Sequence, residues 1–551
     1  MDSRRRWLTA VALAGLTLLA YLPALRGGFI WDDDNFLTLN PLIRAGDGLR
    51  RFWFTAQASD YWPVTSTSLW LEWRLWGQNP AGYHAVNVAL HLAEVLLLWG
   101  ILRRLRVPGA WLGALLFALH PVNVESVAWI AQRKNLMAML FYLASIWFFL
   151  RWEKGRPLPY LLSLLAFVLA LLSKGSVAPL PLVLLGIVAW RRRLVARDFL
   201  WSAPFFAAAA GFAALNVWFQ THGSGLIIRQ ADFLQRLLGA GAVVWFYLGK
   251  ALWPARLIFV YPQWEIRAGD GRWWLPLLAA AAVTLVLFWR RARVRPVLFA
   301  WLYFVALLIP VMGFANIAFM EYSLVANHYE HLALIGVTSL AAAGWARWRE
   351  RQGAVALAAA AAVLAACFVL TWRLNGTYGN EETLYRATLR INPGSWVAQG
   401  NLGTLLARDG KLPEAVPHFE AALRLHPNYP QARVSLGSAL ASTGDLPGAI
   451  AQFQAALKMR PDFAEAHANL GLAYQVEGRL PAAEAEFQQA VALNPHLAAP
   501  QENLGVLLAR AGRLQDSIPH LQAAVDADPD LPGARANLER AEQLAAGLNH
   551  P

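Results

Sequence analysis

Long apolar runs broken by arginine clusters fill the first two thirds of this 551-residue chain, and a short strict period fills the rest. Runs at Trp7–Leu25, Tyr83–Leu102, Gly109–Val127, Asn135–Leu150, Leu158–Leu172, Ser176–Trp190 and Leu200–Phe219 are followed by Trp273–Trp289, Pro296–Phe314, His331–Trp345 and Ala354–Trp372. At ~20 residues per crossing, they predict about eleven membrane-spanning helices. Trp7–Leu25 follows Arg4-Arg5-Arg6 but has no small-residue cleavage site after it, so it reads as a first span and not a removed signal. Leu237–Trp253 is also apolar. Counting it breaks the charge parity described next, so it reads as re-entrant or lying along the membrane surface.

Arg4–Arg6, Arg103/Arg104/Arg106, Arg191–Arg193 with Arg197, Arg290/Arg291/Arg293/Arg295 and Arg347/Arg349/Arg351 fall on one side of the predicted bundle, which the positive-inside rule makes cytoplasmic. The loops Arg26–Gly82, Gln132–Asn135, Ser173–Gly175, Thr221–Arg236 and Ala315–Glu330 then face outward. Eleven crossings from a cytoplasmic N-terminus put everything after Trp372 outside as well.

That last part repeats about every 34 residues: Gly403, Gly437, Gly471 and Gly505 are in register, and so are Pro393, Pro427, Pro461, Pro495 and Pro529. Ala415/Ala449/Ala483, Phe419/Phe453/Phe487 and Ala422/Ala456/Ala490/Ala524 recur between them. This is the tetratricopeptide (TPR) pattern of two antiparallel helices per unit, in which glycine admits a close neighbour and proline ends the second helix. Ser517 and Leu521 replace the usual Ala and Phe in the fourth unit, and Asn537-Leu538-Glu539 loses the glycine, as a capping helix does. Asn401, Asn469, Asn503 and Asn537 form a column of amides able to bond the backbone of an extended peptide. The same asparagines also read as merely solvated.

Charge separates the two parts. Of 48 Lys+Arg and 35 Asp+Glu, 13 and 18 lie from Asn380 onward, leaving 35 and 17 before it. The basic excess therefore belongs to the membrane part, and no nucleic-acid surface is implied. Cys367 is the only cysteine, which excludes an intrachain disulfide or a multi-cysteine zinc site. There is no Walker-type phosphate loop, no nucleophile elbow and no H-E-x-x-H, so cytoplasmic nucleotide-driven chemistry is disfavoured.

Candidate chemistry clusters in the outward loops. Asp32-Asp33-Asp34 follows the first span, where three carboxylates are costly unless they are solvated or serve a site. One can take a proton from a hydroxyl and another can orient it; the same triplet also reads as a loop start capping the next helix. Arg133, Lys134 and Lys174 are outward cations suited to a phosphate, or alternatively to snorkelling toward lipid head groups. His84, Asn87, His91 and Glu94 share one face of the second apolar helix and read as a hydrogen-bond seam between helices. His328, Glu330 and His331 lack a firm third partner in sequence, so no metal is expected.

These stretches resemble a family. Phe29–Asn40, Tyr61–Leu71, Asn79–His91, His120–Asn135, Ser173–Gly175 and Ala326–Leu334, followed in order by the repeats, look like the transmembrane and TPR (TMTC-like) protein O-mannosyltransferases, GT-C-type enzymes, and their bacterial relatives. The resemblance implies an all-α chain: a GT-C-like transmembrane glycosyltransferase domain over 1–375, a linker and half repeat over 376–395, and a TPR α-solenoid with its cap over 396–551. It implies a polyprenyl-phosphate-linked sugar as donor, no cofactor, a protein or glycan hydroxyl as acceptor, and a multi-pass place in a bacterial inner (cell) membrane with the repeats on the periplasmic side. Carried over by position, Asp33 is favoured as general base with Asp32 as its partner. Glu125, Arg133, Lys134, Lys174 and His328 fall around the lipid-phosphate pocket. Ser-Lys-Gly at 173–175 and Asn-His-Tyr at 327–329 depart from the family pattern and bear on the donor sugar. Two other classes stay open: a non-catalytic membrane-anchored scaffold for envelope proteins, and a polysaccharide polymerase or ligase.

Overall fold

The computed structural model describes residues 3–58, 60–152, 156–222 and 230–548. All regular elements among them are helical. They fall into two compact units, residues 1–392 and 393–551.

In the first unit the expected apolar runs are helical, one of them, Gly109–Val127, being broken in its middle. Six helices are long and apolar enough to cross a membrane, or seven if one bent pair counts as a single span. They are Arg4–Arg26, Pro80–Arg104, Ala196–Phe219, Gly271–Trp289, Arg291–Val311 and Gly353–Thr377. The other predicted spans form Arg133–Arg151, Pro157–Ser173, Leu180–Arg191 and Leu334–Arg351, which are shorter or carry charged residues. Leu237–Trp253 coincides, except for its last residue, with the second part of a 20-residue helix, Phe233–Leu252, opened by an Asp232/Gln235 capping box. Its Leu238, Val243, Val244 and Tyr247 are buried in protein, and a Cβ on Gly241 would lie 2.6 Å from the Leu277 backbone of the next helix. Of the expected outward loop Thr221–Arg236, residues 223–229 lie outside the described residues.

The bent pair positions the site. Ala110–Leu119 stops at His120-Pro121, because proline has no N–H to continue the ladder, and Pro121–Ala128 leaves at 50°. A break at membrane depth frees carbonyls, and side chains satisfy them. His91 bonds Ala118 O at 3.2 Å, Asn123 bonds Phe117 O at 2.7 Å, and Thr371 bonds Leu119 O at 2.8 Å. Asn87 donates to the carbonyls of Val127 and Trp129. The polar face of Pro80–Arg104 is thus a seam, as expected, but its main partners are backbone carbonyls of the broken segment.

The stretch 376–395, read from sequence as linker and half repeat, contains the helix Glu381–Ile391, and all of it up to Asn392 belongs to the first unit. Asn392 donates to Val260 O at 3.1 Å, and Glu381 accepts the Trp31 N–H at 3.2 Å.

The second unit holds four helix pairs, from Trp396–Arg408 to Leu514–Ala527, and the closing helix Ala534–Leu548. The aligned glycines sit under aromatic rings: a Cβ on Gly403, Gly437 or Gly471 would lie 2.6–2.8 Å from Phe419, Phe453 or Phe487. Leu521 takes the ring's place over Gly505. A second glycine column, Gly410, Gly444, Gly478 and Gly512, turns one helix into the next at positive φ.

Two glycine substitutions separate these roles. Gly437→Ala, with its Cβ 2.6 Å from the Phe453 ring, should cost about 1–3 kcal/mol through overpacking. Gly444→Ala, open in space but at φ +93°, should cost about 1–2 kcal/mol through the backbone alone. Denaturant midpoints of the full-length protein in detergent measure both, and an unchanged midpoint for Gly437→Ala would refute the ring-on-glycine contact.

Candidate active site

The acidic triplet separates into three environments. Asp33 is buried, and both its oxygens accept backbone N–H groups: Oδ2 from Ile30 at 2.9 Å and Oδ1 from Ala131 at 2.7 Å. It thereby ties the loop after the first helix to the end of the broken segment. Asp34 accepts the Thr38 hydroxyl within its own helical turn. Asp32 differs: its Oδ1 is buried with no hydrogen-bond partner among the described residues. Burial pushes the Asp32 carboxyl up to about 6, against the opposing pull of Lys134. Burial also raises Asp33 well above the carboxylate range, with the Ile30 and Ala131 amides opposing.

The loop is strained at this point. Trp31 has φ 53°, a left-handed value that is costly for a bulky residue. Its ring is held edge-on by Phe259 at 5.0 Å, Tyr322 at 5.4 Å and Tyr385 at 6.1 Å.

Lys134 faces the same space. Its Nζ lies 4.4 Å from the Phe36 ring centroid and 4.6 Å from that of Trp62, and it makes no hydrogen bond among the described residues. Lys174 donates to Asn135 Oδ1 at 2.6 Å. Burial, then Lys134, hold its amine well below the usual lysine range, while Glu125, Asp60 and Asp32 pull it back up. His328 gives Nδ1 to Glu125, whose other oxygen accepts Asn327 at 2.8 Å and Tyr378 at 3.1 Å. Burial, followed by Lys174 and Lys134, keeps that imidazole well below its ordinary pKa and hence neutral at pH 7. Asn135, Lys174, Tyr329, His328 and His331 line a cavity of about 10 Å³, the room of one water molecule. A cavity of about 190 Å³ under Glu381–Ile391 has Tyr378 and Arg390 in its wall but no lysine or carboxylate.

Arg133 departs from the expectation. It is fully buried, and all five of its N–H groups are engaged: Nε with Asn87 at 2.5 Å, one terminal nitrogen with Ser68 and Glu72, the other with Glu72 at 3.0 Å and Tyr83 O at 2.9 Å. In this arrangement no N–H of Arg133 is left for a phosphate, and the side chain forms a buried ion pair with Glu72. The amide column of the repeats is half-buried throughout, with Asn469 donating to Ser438 at 3.4 Å and Asn537 to Glu502 at 2.8 Å, while Asn401 and Asn503 sit on the same helix position.

Sequence reasoning missed four participants. Glu72 was a lone acid in an apolar helix, a signal that was available. Asp60, whose carboxyl is raised by burial against Lys134 and Lys174, stands next to the matching stretch at Tyr61. Trp129 meets the His328 ring at 5.8 Å and lies against Asp32. Tyr378 had no local signal.

Comparison with known proteins agrees with this layout. Residues 60–218 match the family described as dolichyl-phosphate-mannose-protein mannosyltransferase, and residues 401–532 match tetratricopeptide repeats. The chain is 32% identical over 149 residues to a protein O-mannosyl-transferase of Caenorhabditis elegans, covering 24% of this chain and 22% of that one. It is 36% identical over 151 residues to the protein O-mannosyl-transferase TMTC1 of Mus musculus, covering 24% and 16%. It therefore spans about a fifth of the length of the curated relatives it matches. A solved TPR protein of Thermus thermophilus is 24% identical, with TM-score 0.26 over 29% of this chain and 89% of that one.

The Arg133–Glu72 pair can be tested directly. Arg133→Met alone leaves Glu72 buried and unpaired and should cost about 3–5 kcal/mol, whereas the double variant Arg133→Met/Glu72→Leu should recover most of it. Thermal midpoints of the purified protein compare the two. Equal losses in both would remove the pair from the account.

Proposed function

We propose that this TMTC-like membrane protein is a glycosyltransferase that moves a hexose, mannose foremost, from a polyprenyl-phosphate carrier to a protein hydroxyl on the outer face of the membrane. The observation that carries this reading is the buried Asp32 Oδ1, without a hydrogen-bond partner among the described residues and within electrostatic reach of Lys134 and Lys174. Asp32 removes the proton from the acceptor hydroxyl as its oxygen attacks the anomeric carbon. The bond from that carbon to the phosphate oxygen breaks, and the lipid phosphate leaves with the electron pair. Lys134 and Lys174 stabilise its charge, and a single displacement of this kind inverts the anomeric configuration. Lys134 suits the task because aromatic faces hold it while its N–H groups stay free to donate. Asp33 positions the loop, so the roles read from sequence for Asp32 and Asp33 are exchanged.

The repeats then recruit the acceptor. Arginine placement supports an outward location for them, in the same aqueous compartment as Asp32. The helix Phe233–Leu252 is the variable in that count, since one further crossing would bring the repeats inside. Impermeant labelling of a cysteine placed in the repeats, after Cys367→Ala, should occur from outside; labelling from the cytoplasm alone would end the recruiting role.

Asp32→Asn should lower transfer from a polyprenyl-phosphate sugar by roughly 100-fold or more while the thermal midpoint stays near that of the parent. Because burial raises the Asp32 pKa to about 6, the parent's rate should climb as pH rises through that value and the base loses its proton. Undiminished transfer by Asp32→Asn would exclude Asp32 as the base.

A further inference from the structure

The polar seam ends in a cluster that the transfer reaction does not use. His91 and Glu94 on Pro80–Arg104 meet His331, which precedes Leu334–Arg351, and one ligand atom of each lies within 4.8 Å of the others. His91 Nδ1 is 3.0 Å and His331 Nε2 is 3.3 Å from Glu94 Oε2. All three side chains are excluded from solvent.

The outer ring nitrogens decide what the inner ones present. His91 Nε2 is 3.2 Å from Ala118 O, and a carbonyl only accepts, so Nε2 carries a hydrogen. Asn123 is oriented by its Nδ2, which donates to Phe117 O at 2.7 Å. Its Oδ1 therefore faces His331 Nδ1 at 2.8 Å, and that nitrogen carries a hydrogen too. The neutral rings thus turn two lone pairs toward one carboxylate oxygen. Three acceptors converge in a space without solvent, and a single proton on Glu94 serves only one of the nitrogens. Among the described residues Glu94 Oε1, His331 Nε2 and the Tyr21 hydroxyl are all buried without a hydrogen-bond partner, and the Tyr21 ring stands edge-on to His91 at 5.1 Å.

We propose that His91, Glu94 and His331 bind a divalent transition-metal ion of the zinc class. Two imidazoles and a carboxylate are a zinc donor set, and bonds of about 2.0–2.1 Å in a tetrahedron give ligand-to-ligand edges of roughly 3.3 Å, close to the 3.0 and 3.3 Å from Glu94 Oε2 to the two histidine nitrogens. Ala118 O and the Asn123 carboxamide are the outer partners that fix the ligand tautomers. The buried Tyr21 hydroxyl on the first helix, whose ring stands against His91, is the nearby group left to complete the set. The ion is structural, since the site is closed. It ties the second apolar helix and the broken segment to the stretch that carries His328, three residues before His331. The trio considered from sequence, His328, Glu330 and His331, is not the one assembled: His328 pairs with Glu125, and both Glu330 oxygens lack a hydrogen-bond partner.

The test is metal content of the full-length protein in detergent, equilibrated with zinc or cobalt(II) and then desalted. About one ion per chain is expected, with the visible spectrum of tetrahedral cobalt. His91→Gln, Glu94→Gln and His331→Gln should each reduce the content at least tenfold, and His328→Gln should keep it. Should the ligand variants fail to fold, the cobalt spectrum of the parent protein still decides. A parent protein that retains under about a tenth of an ion, or a His91→Gln protein that folds and retains as much as the parent, would show that protons alone occupy the cluster.

Discussion

The helix break at His120-Pro121 is the constraint from which the rest of the site follows. Carbonyls released inside a membrane-embedded bundle have no water to turn to, and each must find a donor in the protein. Asn87, His91, Asn123 and Thr371 are those donors. Their bonds fix the path of residues 121–132, and that path places three things at once. The Ala131 N–H grips Asp33, Trp129 comes against Asp32, and Glu125 reaches His328. A straight helix would satisfy its own backbone and bring none of these together.

The same seam explains why neighbouring cations have different fates. Arg133 and Lys134 are adjacent on one helix, about 100° apart around its axis. Arg133 turns to Asn87 and Glu72, where a planar fork with five donors can be wholly satisfied. Lys134 turns to Phe36 and Trp62, whose π-faces attract the ammonium without consuming its hydrogens. A buried ion pair makes a rigid post, while a cation held by ring faces stays available to an anion.

Much of this was legible in the residues. The helices, the repeat period, the acidic triplet and the residues Glu125, Lys134, Lys174 and His328 follow from patterns within a few dozen positions. What was not legible depends on partners far along the chain. Nothing local distinguishes Asp32 from Asp33, because the difference lies in two amide donors, one of them Ala131. Nothing near Arg133 announces Glu72, and nothing near His91 announces His331. The 376–395 stretch misled for the opposite reason: its TPR-like residues are real, but Tyr385 and Asn392 face the first unit, where Trp31 and Val260 are.

Trp31 shows how such distant contacts matter for chemistry. A left-handed φ at a tryptophan costs about 1–3 kcal/mol and persists only where its surroundings over-determine it. Here they do: Glu381 holds the N–H, and Phe259, Tyr322 and Tyr385 hold the ring. In ordinary extended or helical backbone, the next residue would leave in another direction. With Trp31 held, Asp33 meets its two amides, and Asp32 is left buried with one oxygen unpartnered and a pKa near 6. A carboxylate so poised is costly to the fold and suited to a base, and the strain beside it is the means by which the surrounding rings keep it there.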